Sequence, residues 1–439
     1  MSVWTTCPAS VPEEVPMPAH GAALWWLGQA GFLIRQGGLS IVIDAYLSDS
    51  LAEKYRGTKF PHQRMMPPPV APEALQGIDW LLCTHAHTDH MDPGTIPALL
   101  AASPSARVLA PRACRDQALA RGVPADRLVL IDAGETVDLG GLQVTATPAA
   151  HEDLQATPEG HLFLGYVLRG GGVTLWHSGD TIPFAGLAET LAPHRVDLAL
   201  LPVNGRDAER AANGVPGNLT LDEAVTLTDA IGARGMLGHH FGLFSFNTLD
   251  PEAGRARLDD MRPAAEVALV APGLVWKVAP VARRPLALLA VCKGNICRSP
   301  LAEGLLRHHL AGRDVVIDSA ALMDWNVGRA PDPRSVAVAA ARGIDISGQV
   351  ARQVRESDFD DFDLILAMDA ENVAGLFAMA PAGARARILR LGDLLQPGIL
   401  QDIQDPYTLG PEAFAQVFDQ LDVAVRAIAR NFIPHPDKE

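Results

Sequence analysis

The sequence predicts an α/β protein made of two separate domains, and three observations carry that prediction. The chain is 439 residues long, more than a single core usually supports. A seam, Val278-Ala279-Pro280-Val281-Ala282-Arg283-Arg284-Pro285, follows one apolar strand and precedes another, and its prolines and arginines mark a boundary. Before the seam, short apolar strands are mixed with helices; after it, strands and helices alternate. The expected domains are residues 1–283 and 284–439.

Composition narrows the class. Hydrophobic residues make up 48% and charged residues 20% of the chain, enough apolar material for full cores. The formal net charge of −15, with no Lys/Arg-rich run, argues against nucleic acid as a partner but leaves room for a small anionic substrate in a locally basic pocket. Five scattered cysteines do not make a disulfide scaffold. The start, Met1-Ser2-Val3-Trp4, lacks the pattern of a signal peptide. No apolar run approaches the ~20 residues that span a bilayer. A reduced, cytoplasmic protein with no membrane partner is expected, with homo-oligomer formation left open.

In the first domain, residues up to about Ala19 are rich in Pro and Glu and read as a loosely held arm. Strands follow at Leu24 to Leu27, Gly31 to Arg35, Leu39 to Asp44, Trp80 to Cys83, Tyr166 to Arg169 and Val173 to His177. Gly170-Gly171-Gly172 predicts a hairpin between the last two. A helix from Leu221 to Ile231 opens with a capping box, Thr220 with Glu223, and a terminal strand runs from Gly273 to Val278.

The strand Trp80 to Cys83 runs into Thr84-His85-Ala86-His87-Thr88-Asp89-His90. Histidines and an aspartate packed so densely at the carboxyl end of a buried strand point to a metal site rather than a His-rich surface loop. His85 and His87, on alternate residues, point the same way and can share one metal, while the turn through Asp89 and His90 serves a second. Imidazole and carboxylate suit Zn, Mn or Fe, and no cysteine in the run favours a thiolate site. Two such ions ~3.5–4 Å apart activate water at neutral pH and polarise a carbonyl or phosphoryl oxygen, so hydrolysis is the expected reaction class.

This His-x-His-x-Asp-His run resembles the signature of the metallo-β-lactamase superfamily, and the rest of the domain keeps that family's order. The resemblance implies an αββα sandwich holding two divalent ions, Zn or Mn. Its implied ligands are His85, His87, Asp89, His90, His151, Asp180 and His240. Asp180, in His177-Ser178-Gly179-Asp180, would bridge the metals, Asp44 would support the ligands from behind, and Asp89 would also serve catalysis. In Gly238-His239-His240-Phe241-Gly242, His240 fits the family pattern and His239 is the fallback. Trp25-Trp26-Leu27-Gly28, Gly31-Phe32-Leu33-Ile34 and Phe60-Pro61-His62-Gln63-Arg64-Met65-Met66 resemble the branch containing ascorbate-6-phosphate lactonase, which implies opening of a lactone or cleavage of a phosphodiester. The loop between Leu47 and Pro72 carries Lys54, Tyr55, Arg56, Lys59, His62 and Arg64. It reads either as a clamp on a substrate phosphate, with Arg64 in contact, or as a solvated or subunit-contacting loop.

After the seam, the strand Leu286 to Val291 leads through Cys292-Lys293-Gly294-Asn295-Ile296-Cys297-Arg298 to Ser299 and Pro300. Those last two are expected as the N-cap and first residue of a helix to Leu310. Strands at Val315 to Asp318 and Leu364 to Met368, and helices at Pro333 to Arg342 and Pro411 to Asn431, complete a parallel sheet with helices on both faces. Backbone N–H groups of the loop converge near the positive end of the helix, an anion cradle. The same field favours the Cys292 thiolate as nucleophile, and Arg298 can grip two phosphate oxygens at once.

From Leu286 to about Asn431 the domain resembles the low-molecular-weight protein tyrosine phosphatases, through this loop, Asp324-Trp325, Ala367-Met368-Asp369 and Asp405-Pro406-Tyr407. The resemblance implies Asp405 as general acid and then base, with no cofactor. Lys293, Gly294, Asn295, Ile296, Cys297 and Ser299 would line the phosphate site, Asn295 and Ser299 also holding loop and thiolate, with Trp325 and Tyr407 as walls. Lys293 and Asn326 depart from the family's usual residues, and the added cation of Lys293 suggests a more anionic substrate than phosphotyrosine. Cys297 could form a protective disulfide with Cys292 under oxidation.

The whole chain then reads as a bifunctional hydrolase. The metal domain would open a lactone or cyclic phosphodiester of a small phosphorylated substrate, and the phosphatase would remove the exposed phosphate. The alternative is a phosphatase of phosphotyrosine proteins regulated by a ligand-sensing metal domain. An arsenate reductase would need relay cysteines that the second domain lacks beyond Cys297.

Overall fold

A computed structural model of the chain describes residues 2–281, 285–381, 383–395 and 401–432. It divides into two compact units, Met1–Val281 and Ala282–Glu439. Ala282, Arg283 and Arg284 of the predicted seam lie outside the described residues. Among the described residues, no helix is long and apolar enough to cross a membrane.

The first unit stacks two sheets between helices. One sheet has eight strands, in the order Trp4–Pro8, Leu274–Val278, Ala22–Gly28, Gly31–Gln36, Leu39–Ile43, Trp80–Leu82, Arg107–Pro111 and Leu128–Ile131. The other has seven, in the order Glu266–Leu269, Gly235–His239, Leu198–Pro202, Val173–His177, Leu164–Gly170, Gln143–Pro148 and Thr136–Asp138. Alternation along the strands explains the stacking. Leu24, Trp26, Ile34, Ile41 and Leu82 join the second sheet's Val144, Leu168, Leu175 and Leu200 in one core. Their chain neighbours Ala23, Trp25, Leu33, Val42 and Leu81 face the other way, onto Ile96 and Leu99 of the helix Thr95–Ala102. The helices Leu221–Ala230 and Pro251–Met261 pack on the second sheet, which completes the αββα order.

Local signals act as the sequence suggests. Leu164–Gly170 and Val173–His177 pair antiparallel with Gly170 opposite Val173, and Gly171 and Gly172 take the positive φ of +57° and +77° that so tight a turn requires. Thr220 Oγ1 accepts from the Glu223 N–H, and the Glu223 carboxylate accepts from the Thr220 N–H. The strands Leu39–Ile43, Trp80–Leu82 and Arg107–Pro111 run parallel, as do Val173–His177, Leu198–Pro202 and Gly235–His239. Each set therefore gathers its carboxyl ends at one edge, where α/β sheets place their sites.

The expected loose arm is not loose. Trp4–Pro8 pairs antiparallel with Leu274–Val278, Trp4 meets Trp276 edge-on at 5.5 Å, and Val3, Ala9 and Val15 are buried. Composition misled because the prolines and glutamates lie mostly after the strand, between Pro8 and Pro18.

The second unit is a four-stranded parallel sheet in the order Val315–Ala321, Leu286–Cys292, Leu364–Ala367 and Arg387–Arg390. Leu286, Leu288 and Ala290 face Leu301 and Leu305 of the helix Arg298–His309, and Leu421 and Val425 of Pro411–Phe432. Ala287, Leu289 and Val291 face Phe359 and Leu376, the latter in Ala370–Met379. The first of these helices begins at Arg298 with Cys297 at its N-cap, so Ser299 is already inside it and makes no capping bond.

Because Trp4 clamps the last strand of the first unit, Trp4→Ala should lower that unit's stability by about 2 kcal/mol. The measurement is its unfolding midpoint in urea. An unchanged midpoint would return the N-terminus to the status of an arm.

Candidate functional sites

The side chains expected to ligate metal in the first unit come from strand ends and gather on one spot. Three overlapping groups form, His85 with His87 and His151, His85 with His90 and Asp180, and Asp89 with His90 and His240, each with its ligand atoms within 4.8 Å of one another. Asp180 Oδ2 lies centrally, 3.3 Å from both His90 Nε2 and His240 Nε2 and 3.7 Å from His151 Nε2. His239 turns away into the core, stacked on His177 at 5.0 Å and edge-on to Phe32. His240, not His239, therefore stands in the cluster.

The backbone is bent to deliver these groups. Gln29, Asp44 and His240 all hold left-handed φ values, +50°, +46° and +66°, the kind of local cost that collects at functional sites. Asp44 sits behind the ligands, where Oδ2 accepts from His90 Nδ1 at 2.7 Å and from Thr84 Oγ1 at 2.6 Å, while Oδ1 accepts from the Thr84 N–H at 2.8 Å.

The donor set fits divalent metal ions. Asp44, Asp89 and Asp180 bring three carboxylates together, and no Lys or Arg is hydrogen-bonded to any of them among the described residues. His85 Nε2 and Asp180 Oδ1 are buried without a hydrogen-bond partner. A divalent cation would satisfy such a cluster. Burial, reinforced by His90, pushes His85 well below the usual histidine range, and burial takes His151 down to about 4, so both imidazoles offer a free lone pair. Burial would also strip the His90 proton, but Asp180, Asp44 and Asp89 outweigh it and hold His90 well above the ordinary value.

Two contributors carry no sequence signal of their own. Gln29 Nε2 donates to Asp89 Oδ2 at 3.1 Å and lies 3.3 Å from His240 Nε2. The Phe163 ring lies against His85, His87 and His151 at 5.1, 5.6 and 5.3 Å, walling that side of the cluster. A Gln in a tight turn after a strand could have hinted at the first; nothing marks Phe163.

A cavity of about 320 Å³ opens over the cluster. From the basic loop, Lys54, Tyr55, Lys59 and His62 line it, joined by Arg121. Arg64 does not. Its Nη1 donates to the carbonyls of Tyr46 and Ser48, its Nε to that of Met66, and its guanidinium lies 5.0 Å from the Tyr46 ring. Arg64 fastens the loop from beneath, which corrects its assignment as a substrate contact.

In the second unit the loop wraps around Cys292. The Asn295 N–H donates to Cys292 Sγ at 3.2 Å, and Ser299 Oγ lies 3.1 Å from the same sulfur. A directed chain stands behind these contacts. Ser319 Oγ donates to Glu303 Oε2 at 2.6 Å, so it accepts from Asn295 Nδ2 at 2.9 Å. Asn295 Nδ2 donates its other hydrogen to Ser299 Oγ at 2.9 Å, which leaves the Ser299 hydrogen for the sulfur at 3.1 Å or the Ala320 carbonyl at 3.5 Å. Asn295 takes a φ of +50° to reach both.

Arg298 is 2% exposed, with Nη1 donating to Asp369 Oδ2 and to the Ile403 carbonyl, and Nη2 to Asp405 Oδ2 at 2.8 Å. Gly294 and Ile296 use their carbonyls on Asn326 Nδ2 and the Asp332 N–H. Trp325 and Tyr407 are 61% and 54% exposed. Cys297 and Cys292 are free thiols, and burial pushes the Cys297 thiol up to about 12. Lys293 turns its Nζ to Glu371 Oε1, 2.7 Å away on the exterior.

Residues 287–434 match the family described as low molecular weight phosphotyrosine protein phosphatase, and residues 40–241 match the beta-lactamase superfamily domain. The low molecular weight phosphotyrosine protein phosphatase of Schizosaccharomyces pombe is 39% identical over 139 residues, covering 30% of this chain and 88% of that protein. The low molecular weight protein-tyrosine-phosphatase YfkJ of Bacillus subtilis is 41% identical over 129 residues, 28% of this chain and 83% of that one. Among solved structures, Igni18, a metallo hydrolase of the archaeon Ignicoccus hospitalis, aligns at a TM-score of 0.42 and 20% identity over 57% of this chain and 96% of that one.

Asp44→Asn should loosen zinc binding by about 10–100-fold, since the support behind a ligating histidine sets its orientation and basicity. Competition with a chromogenic chelator measures it. Hydrolysis of 4-nitrophenyl phosphate, assigned to the other unit, serves as the control and should stay unchanged. Unaltered zinc affinity would reduce Asp44 to a turn-closing residue.

Proposed function

The chain belongs, through residues 287–434, to the low molecular weight phosphotyrosine protein phosphatase family, and with its beta-lactamase superfamily domain at residues 40–241 we propose that it is a bifunctional hydrolase of small phosphorylated substrates. The first unit opens a lactone or a cyclic phosphodiester, and the second removes phosphate from the resulting monoester. The observation that carries this reading is the lining of the first unit's cavity. Lys54, Lys59 and Arg121 face it, and the only carboxylates among its described lining residues, Asp89 and Asp180, belong to the cluster proposed to hold metal. A cavity so charged favours an anion.

Divalent ions held by His85, His87, Asp89, His90, His151, Asp180 and His240 would polarise the scissile bond and activate water at neutral pH. The chain's own residues do the rest. Arg121 braces the metal loop by donating to the His87 and Met91 carbonyls, at 3.3 and 2.8 Å. Gln29 holds Asp89, Asp44 orients His90, and Lys54 and Lys59 draw in the anionic end of the substrate.

In the second unit the Cys292 thiolate attacks phosphorus. A sulfur–phosphorus bond forms as the bond to the leaving oxygen breaks, and Asp405 gives that oxygen its proton. Water then attacks the phosphocysteine, Asp405 takes a proton from it, and the thiolate leaves. Arg298 moves from its carboxylate partners onto the phosphoryl oxygens, whose charge it is built to match.

Phosphorus NMR of the metal-loaded protein tests the sequence of steps, with cyclic phosphodiesters and phosphorylated lactones as substrates. Cys292→Ser should stall the reaction at the monoester, and His87→Ala should leave the starting compound intact. If no member of the panel reacts while a phosphotyrosine peptide is cleaved through Cys292, the two-step reading is lost and regulation of the phosphatase by its partner domain replaces it.

A further inference from the structure

Beside the metal-domain cavity runs a ladder of amides whose orientation is set by one arginine. Asn247 lines the cavity and is only 8% exposed. Its Oδ1 accepts from Arg210 Nη1 at 2.5 Å and from Asn204 Nδ2 at 2.7 Å. Asn204 Oδ1 accepts in turn from Asn218 Nδ2 at 3.1 Å. The two ends of an amide are often interchangeable in a structure, but here the guanidinium decides. Arginine has donors only, so the Asn247 atom facing it must be oxygen. The Asn204 atom facing that oxygen must then be nitrogen, and the same logic fixes Asn218. Arg210 is itself tied down, with Nε donating to Asp207 Oδ2 at 2.6 Å and Nη1 to the Asn204 carbonyl at 3.1 Å.

With Oδ1 occupied twice, Asn247 Nδ2 is left without a hydrogen-bond partner among the described residues, in a side chain that lines the cavity. Two other donors around the same cavity are engaged. Lys59 pairs with Glu209 at 2.9 Å, and Asn213 Nδ2 donates to the Glu209 carbonyl at 2.7 Å. The amide is held in one orientation by Arg210 and Asn204, so its Nδ2 is a donor already placed for an acceptor that enters the cavity.

We propose that Asn247 is a specificity-determining residue of the first unit, its Nδ2 donating to an oxygen of the bound substrate, with Arg210 the positioning residue that keeps the N–H end of the amide toward the cavity. The acceptor is a phosphoryl or carbonyl oxygen lying away from the bond that breaks. The proposal rests on the reading of the first unit as a hydrolase working in this cavity.

The test uses the full chain, metal-loaded and carrying Cys292→Ser to silence the second unit, with bis(4-nitrophenyl) phosphate as the probe. Asn247→Ala should raise KM about tenfold and leave kcat within about twofold, the pattern of a lost binding contact. Asn247→Asp can still accept from Arg210 and Asn204 but offers the anionic probe an acceptor, so KM should rise further. Arg210→Ala should reproduce the KM rise, and Arg210→Lys should recover part of it, a split that a merely structural role would not give. The absorption spectrum of the cobalt-loaded protein reports whether each variant keeps an intact metal cluster. If Asn247→Ala loses cobalt, Asn247→Asp decides. An unchanged KM in a cobalt-binding Asn247 variant overturns the proposal alone. Wild-type protein that leaves the probe and a neutral lactone untouched overturns the hydrolase reading, and this proposal with it.

Discussion

Asp44 ends its strand in a left-handed turn with its carboxylate shut off from solvent. A buried ionised carboxylate is tolerated only where donors meet it, and here three do, from Thr84 N, Thr84 Oγ1 and His90 Nδ1. The consequences spread outward. Thr84 is the first residue after the strand Trp80–Leu82 and Cys83, so its two bonds fix where the metal loop leaves the sheet. The bond from His90 Nδ1 keeps a hydrogen on that nitrogen and turns Nε2 toward Asp180 and the cluster, where a bound cation would take the place of its proton. The opposite sheet works in the same way. The Gly179 N–H donates to His177 Nδ1, so His177 Nε2 carries the hydrogen and donates to the Ala30 carbonyl at 2.9 Å. That pair of bonds closes the turn that delivers Asp180.

How much of this was legible in the sequence follows from what each signal depends on. The candidate ligands and the Asp44 behind them follow strand ends, and strand ends are local: Asp44, His85, His151, Asp180 and His240 can be placed once the apolar strands before them are recognised. The pairing of Trp4–Pro8 with Leu274–Val278 joins residues some 270 apart, and no window around the N-terminus contains it. Long basic side chains were the least legible. The charged tip of Arg64 or Lys293 lies several bonds from its backbone, so its position in the loop did not decide whether it met a cavity, a carbonyl or Glu371. Gln29 and Phe163 were missed for a related reason. Each acts through one contact across the gap between elements distant in sequence.

The second unit shows a local rule yielding to a chemical one. A serine followed by proline at a strand-to-helix junction is a good N-cap signal, yet Cys297 takes that position and Ser299 turns its hydroxyl to Cys292. The hydroxyl can do so only because Asn295 fills its acceptor side and Glu303, through Ser319, orders the hydrogens all along the chain. Such a network is invisible to a reading of neighbours, since Ser319 enters from the adjacent strand Val315–Ala321.

The charge of −15 and the basic linings of both sites belong to different length scales. At physiological salt, exposed charges more than about 8 Å away are largely screened, so an anion approaching either site responds mainly to what lies at the rim and inside. In the first unit that means Lys54, Lys59 and Arg121 around a cluster whose own carboxylates would be neutralised by bound cations. In the second it means Arg298 and the backbone N–H groups at the start of a helix, with Asp369 and Asp405 holding the guanidinium until a phosphate displaces them. On the proposed reading, the two units meet the same problem, attraction of an anion by an acidic protein, with different means. One concentrates positive charge in side chains around a site for metal ions; the other relies on a buried arginine and oriented peptide dipoles. The surface acidity then serves solubility without weakening either site.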